Sequence, residues 1–352
     1  MSELQIGLLS IGILLVVAVY IYGFWQQRSY RNKFGSAYKS QHEDALYRSN
    51  SAAFDALLVE DVPDTGDKDS HRSTNGDDIC TLLSAETDYV VSIKPKVPLS
   101  SDVLAPLWAQ RFDFGKSVNA CGQNVSSGLW ERLIPDSHQS YSAFNLGLQL
   151  VDRSGSVNEI RLRNFHEVLR EVGEQIQTDI VFPSLTNAML QANSLDEFCA
   201  EVDKMIGLNI IPGGDRLLFG SEISQVAERR GLLLQSDGSF HLLNDNGLTI
   251  FSLGNQDGTP FQHHTLTQVR VKGLTILLDV PRVERPVQHF DEMVVLAREI
   301  AMDLRAGLAD DHRVSLGEKA IAQIREQVAA IESSMLAGKI VPGSPQALRL
   351  FA

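Results

Sequence analysis

Charge is absent from Leu4 to Gln27, a run of 24 residues dominated by Leu, Ile, Val, Gly and Tyr. At about 1.5 Å per residue a helix of that length covers roughly 36 Å, enough to cross a hydrocarbon core of roughly 30 Å with some tilt. Only Glu3 is charged before the run, whereas Arg28, Arg31, Lys33 and Lys39 follow it, and Tyr20, Tyr22 and Trp25 fall where interfacial aromatic residues belong. A cleaved secretory signal would carry a basic segment before the run and a small-residue cleavage site after it, and neither is present. A buried soluble helix would show a polar face. The pattern predicts a transmembrane helix over 4–27, a short non-cytoplasmic N-terminus over 1–3, and the rest of the chain on the cytoplasmic side.

The pattern then dissolves. Between Asp55 and Asp78 eight acidic residues stand against Lys68 and Arg72, with Pro63, Gly66 and Gly76 and little apolar periodicity. Such a segment buries too little apolar surface to offset the entropy of ordering it, so 28–84 reads as an acidic, flexible linker.

From residue 85 short strand-like runs alternate with helical ones. Tyr89–Ile93 reads as a strand and Ser101–Phe112 as a helix with Leu104, Leu107, Trp108 and Phe112 on one face. Val118–Gly122, Leu129–Ile134 and Ala143–Val151 read as strands, and Glu159–Gln177 as a helix carrying Leu162, Phe165, Leu169, Val172 and Ile176. A second series follows. Asp196–Val202 alternates Phe198, Ala200 and Val202 against polar neighbours as a strand does, although 196–210 also fits a helix. Ser221–Arg230 is an amphipathic helix; Phe240–Leu243, Leu248–Leu253 and Leu274–Val280 are strands; Val287–Arg305 is a helix burying Phe290, Val294, Ala297 and Met302. The two helix starts are about 60 residues apart in the first series and about 66 in the second, which suggests a duplicated strand–helix–strands–helix unit. A last helix, Gly317–Met335, carries Ile321, Ile324, Val328 and Ile331 on one stripe, and Gly338, Pro342, Gly343 and Pro345 end the periodicity, predicting a loose tail over 338–352. The expected fold class is a single N-terminal transmembrane helix followed by α+β two-layer structure, an antiparallel sheet with helices on one face. Two tandem copies are suggested, a block at 85–190 and a domain at 191–337.

Composition narrows the function classes. The chain is 43% hydrophobic and 21% charged, as a globular protein is, and its net charge of −13 argues against nucleic acid, whose phosphates require a basic footprint. Cys80, Cys121 and Cys199 are widely spaced, odd in number and without a C-x-x-C pair, and read as reduced thiols. No phosphate-loop, dinucleotide, zinc-protease or nucleophile-elbow motif is present, so the chain reads as a non-enzyme without cofactor or metal. His263 and His264 are the most tempting metal pair, but neighbours on a strand point to opposite faces, and a solvated loop is the simpler reading. Gly213, Gly214 and Asp215 fit an ordinary turn better than a phosphate cradle, and Asp310 and Asp311 fit a helix-end turn better than an acid–base pair.

The segment Thr249–Asn255, followed by Gly258-Thr259-Pro260-Phe261, resembles the C-terminal domain of the ZipA family, bacterial division proteins that bind FtsZ. Leu274 to Pro281 is similar to that family's next core strand, Phe290 to Asp303 to its long helix, and Leu308–Arg313 with the helix ending Ile324-Arg325-Glu326-Gln327-Val328 to its terminal unit. The resemblance extends over roughly 140 residues. It implies a two-layer domain whose free sheet face forms a shallow apolar groove for the C-terminal tail of FtsZ, in a single-pass protein of the bacterial inner membrane that supports Z-ring assembly and septation. Matching by position puts Val202, Asp203, Asp237, Gly254, Gln256 and Leu277 at the groove. Family positions that are large and apolar correspond here to Asp237, Gly254 and Gln256. Val202 and Leu277 could equally pack in the core, because a one-residue slip moves a strand side chain to the other face. The chain also departs from the family in its short acidic linker and in the extra folded block before the domain. The competing class is a membrane-anchored sensor whose tandem α/β modules bind a small ligand in a closed pocket between them.

Overall fold

The computed structural model describes residues 82–310 and 313–352. The expected transmembrane helix at 4–27, nearly all of the linker at 28–84, Cys80 and Asp311 lie outside the described residues. Among those described, no helix is long and apolar enough to cross a membrane.

Asp88–Ile93 (β1) turns Tyr89, Val91 and Ile93 into a core and Val90 and Ser92 away from it, the period of two expected of a strand. Leu99–Ser100 (β2) leads into a 3₁₀ turn capped by Ser100 and then helix Ala105–Gln110 (α1), with Pro106 in its first turn, where a missing N–H costs nothing. Val118–Asn124 (β3), Trp130–Arg132 (β4) and Ser140–Gln149 (β5) complete an antiparallel sheet ordered β1-β5-β3-β4, with β2 beside β5. A tight hairpin, Val151–Asp152 (β6) and Gly155–Ser156 (β7), precedes helices Glu159–Gln175 (α2) and Leu185–Val202 (α3), capped by the side chains of Asn158 and Ser184.

Here several expectations are corrected. Phe112 lies beyond the end of α1 and is 71% exposed. The stretch 196–202 is the last part of α3 and not a strand: Ala188, Ala192, Cys199 and Val202 recur at helical spacing and are buried. Cys121 is disulfide-bonded, against the reading of three reduced thiols, while Cys199 is a free, buried thiol. Distance along the sequence says nothing of distance in the fold.

The second series begins with Met205–Pro212 (β8), Leu218–Phe219 (β9) and helix Gly220–Arg229 (α4). Leu233–Leu234 (β10), Phe240–Leu243 (β11), Thr249–Asn255 (β12), Arg270–Val271 (β13) and Leu274–Asp279 (β14) follow. Helix Pro286–Asp303 (α5), strand Ala306–Ala309 (β15), helix Glu318–Ala337 (α6) and the short helix Pro345–Leu350 (α7) close the chain. The antiparallel sheet runs β10-β11-β12-β14-β8-β15. Leu208, Ile210, Phe251, Leu253, Ile276 and Leu278 form its buried side with Phe290, Met293, Ala297 and Ile300 of α5. Met302, expected in that stripe, is 70% exposed. Five residues beyond Ala297, it is turned about 140° from the core.

The two blocks are not copies of one topology. Each sets its first strand beside the strand that follows its hairpin, β1 by β5 and β8 by β14, but the hairpin enters the sheet in opposite senses: β1-β5-β3-β4 against β8-β14-β12-β11. Nor is 338–352 loose. Ile340, Ala347, Leu350 and Phe351 are buried in the core of the first block, and Arg349 grips Asp88 of β1 with two hydrogen bonds, at 2.8 and 2.9 Å. Helix α6 contributes Ile321 and Val328 to the second core and Met335 to the first, so one helix is shared by both.

Candidate peptide-binding face

In an antiparallel sheet directly paired residues share a face. Leu277 pairs with Gly207 and Ser252, Ser252 with His241, and His241 with Leu233, so one row crosses the second sheet from β10 to β8 on the side away from α5. A second row joins Gly254, Thr275, Asn209 and Ala309, and Met205 pairs with Asp279 in a third. Leu233 and Met205 are 55% and 48% exposed, while Leu277, Ser252 and Gly254 are half-buried. The face is shallow and mixed, apolar at Leu233, Leu277 and Met205, with polar groups satisfied locally: the Thr275 hydroxyl donates to Asn209 Oδ1 at 2.6 Å, and His241 Nδ1 lies 2.8 Å from Thr249 Oγ1.

Two glycines shape it. A Cβ at Gly207 would sit 3.1 Å from Leu277 Cδ2 and 3.3 Å from Thr275 Cγ2, so the missing side chain lets Leu277 lie down over β8. At Gly273 a Cβ would come 2.9 Å from Gln256 Oε1, so the Gln256 side chain occupies that gap just past the end of β12.

Of the six positions named from the resemblance, the fold brings three together: Gly254, Gln256 and Leu277 fall on this face. Asp237 lies in the turn at 235–239, where its carboxylate accepts the Ser239 N–H at 3.0 Å. Val202 does not reach the face; it ends α3 and is buried in the first core. Asp203 accepts from Arg153 Nη2 at 2.7 Å. Both were matched to the sheet because a helix end was read as its first strand, which begins at Met205 instead. Met205 was missed for the same reason, although Leu208 and Ile210 alternating with Gly207 and Asn209 carried the signal of β8, and Leu233 because its strand is only two residues long.

Arg153 comes from the β6–β7 hairpin of the first block and also donates to Asp279 Oδ1 and Oδ2 at 2.8 and 2.9 Å. Burial opposes the guanidinium charge, but Asp279 and Asp203 outweigh it and raise the Arg153 pKa further. The same burial pushes the Asp279 carboxyl above its ordinary range, against the pull of Arg153 and Arg282.

The first sheet is more polar and partly covered on its outward side. That side carries Asp88, Ser92, Asn119, Gln123, Asn145 and Gln149 beside Val90, Cys121, Ala143 and Trp130, with Ser92 Oγ donating to Asn145 Oδ1 at 2.6 Å. Leu83 fills the space above Gly147, where a Cβ would lie 2.5 Å from Leu83 Cδ2. Elsewhere, His263 and His264 lie exposed in a turn rather than on a strand, Gly213–Asp215 form an exposed turn, and Asp310 accepts the Val314 N–H at 2.8 Å within its own turn.

Residues 204–327 match the family described as ZipA, C-terminal FtsZ-binding domain. The chain is similar to the cell division protein ZipA of Vibrio campbellii, 28% identical over 130 residues, which are 36% of this chain and 40% of that protein. It is similar to the ZipA of Vibrio parahaemolyticus at 22% identity over 347 residues, 93% of this chain and 98% of that one. With the ZipA of Pseudomonas aeruginosa it shares 28% identity over 134 residues, 37% of this chain and 46% of the relative. The 28% matches thus span less than half the length of those relatives, and the matched domain contains β8, β12 and β14.

Proposed function

We propose that this chain, whose residues 204–327 match the ZipA C-terminal FtsZ-binding domain, is a cell division protein that holds FtsZ filaments at the cytoplasmic membrane of a bacterium by binding the FtsZ C-terminal tail on the open face of its second sheet. The observation that carries this reading is the row from Leu233 to Gly207, with Leu277 within it and Met205 beside it, a surface with exposed apolar groups inside the residues that match the family's domain. Gly254, Gln256 and Leu277 form its floor. Burying one aliphatic side chain is worth about 1.5–3 kcal/mol, but ordering a disordered tail takes back much of what a few such contacts give. Modest affinity per tail follows. A filament presents many tails, and a tether confines the domain near the bilayer, so avidity supplies what the single contact lacks. In this account residues 4–27 are the tether, a single-pass helix with its N-terminus outside, and 28–84 the acidic leash. Binding is the whole of the activity; no catalytic step is assigned.

Titrating a labelled FtsZ tail peptide into the protein is expected to give saturable binding, weakened about 30-fold by Leu277→Asp, as removal of a central anchor does. Deleting residues 1–27 should leave tail binding intact and abolish recruitment of FtsZ filaments to vesicles; unchanged recruitment would contradict the tether.

A further inference from the structure

The open face of the second sheet ends at an ion pair that the first block supplies. Asp279 follows Leu277 by two residues on β14, so its carboxylate projects to the same side, opposite Met205. Arg153 Nη2 bridges it to Asp203, donating at 2.7 Å to Asp203 Oδ1 and at 2.8 Å to Asp279 Oδ1. The three side chains are 26%, 22% and 23% exposed, neither a surface pair nor a dry one. The hairpin that carries Arg153 is itself pinned. Lys116, 3% exposed, donates to Asp152 Oδ1 at 2.6 Å, to Ser154 Oγ at 3.0 Å and to the Gly155 carbonyl at 2.6 Å. A peptide crossing the Leu277–Gly207 row towards Met205 meets this pair next.

We propose that the first block forms one end wall of the FtsZ-tail site, with Arg153 as the positioning residue that holds Asp203 and Asp279 and with the hairpin tip at Ser154 beside the bound peptide. The inference rests on the tail using the open face. Held by Arg153, the two carboxylates are already satisfied and the wall needs no group from the partner. Left unpaired, each would retain water that the peptide must strip as it settles over Met205 and Leu277. The wall therefore suits a partner that brings an apolar side chain, not a carboxylate, to this end. It also gives the extra block a part in recognition that its own polar sheet face does not.

The test uses the full chain in nanodiscs and a labelled FtsZ tail peptide. Arg153→Met is expected to weaken binding about tenfold, and the neutral combination of Arg153→Met with Asp203→Asn and Asp279→Asn to return it to within about twofold of the parent. A photo-crosslinking residue at Ser154 should capture the peptide, while one at Ser126, in the β3–β4 turn, should not. Folded Arg153→Met protein that binds as the parent does, with no capture at Ser154, overturns the proposal. If Arg153→Met does not fold, capture at Ser154 alone decides. Leu277→Asp separates the two levels of the argument: if it weakens binding while Arg153 and Ser154 are silent, only the wall fails, and if it too is silent, the tail does not use this face.

Discussion

Asp88 shows how a single residue can bind distant parts of the chain. Its side chain has no exposure, and Arg349, 17% exposed, neutralises it from 261 positions away. Removing one member of a buried pair leaves an uncompensated charge, so Arg349→Ala should destabilise the fold by about 3–5 kcal/mol in a denaturant titration, far more than the same change at the exposed Arg163. Cys199 makes a second prediction at this scale. Burial, with Asp196 and Asp203 adding to it, pushes its thiol up to about 12. An unfolded thiol titrates near about 8.5, so between there and about 12 the unfolded chain binds fewer protons, and this group's contribution to stability, complete below that range, falls as pH rises. Iodoacetamide at pH 8 should leave Cys199 unlabelled until the protein unfolds; labelling of the native protein at the rate of a free thiol would contradict the burial. Single residues were legible in the sequence only through the resemblance. It put Leu277, Gly254 and Gln256 on or just past strands that share the open face, whereas Val202 and Asp203 do not reach that face, because the end of a helix was read as the first strand.

At the scale of elements the alternation of Phe198, Ala200 and Val202 was too short to distinguish a strand from the last turns of a helix. What decided it is the cap at Ser184 and the pair Ala188 and Ala192, well upstream. The tail is the sharper case. Gly338, Pro342, Gly343 and Pro345 punctuate the sequence as a disordered end would, yet Ser344 caps α7 and Leu350 and Phe351 are buried against a sheet that lies more than 200 positions earlier in the chain. Long-range burial of this kind leaves no period to read. Phe351→Ala should therefore cost about 3–5 kcal/mol, as deleting a fully buried ring does; a change below about 1 kcal/mol in the same titration would mean that the terminal helix is not part of the core.

For the whole molecule, α6 and α7 make one unit of what the sequence divides into two. Met335 and the terminal helix complete the first core while Ile321 and Val328 complete the second. The ZipA-type domain was legible because its strands and long helix are local and periodic. The reversed hairpin of the first sheet was not, since both senses of entry leave the same order of strands and helices along the chain. The consequence for the proposed function is an asymmetry: one outward sheet face is partly covered by Leu83 and the other is open, so the proposal is that one FtsZ tail is accepted per chain, on the second sheet. Amide hydrogen exchange of the full chain with and without saturating FtsZ tail tests this most directly. Protection centred on β8, β12 and β14 and reaching no further than β10, β11 and the β6–β7 hairpin is the result predicted, and protection of β3 and β4, or none at all, would contradict it.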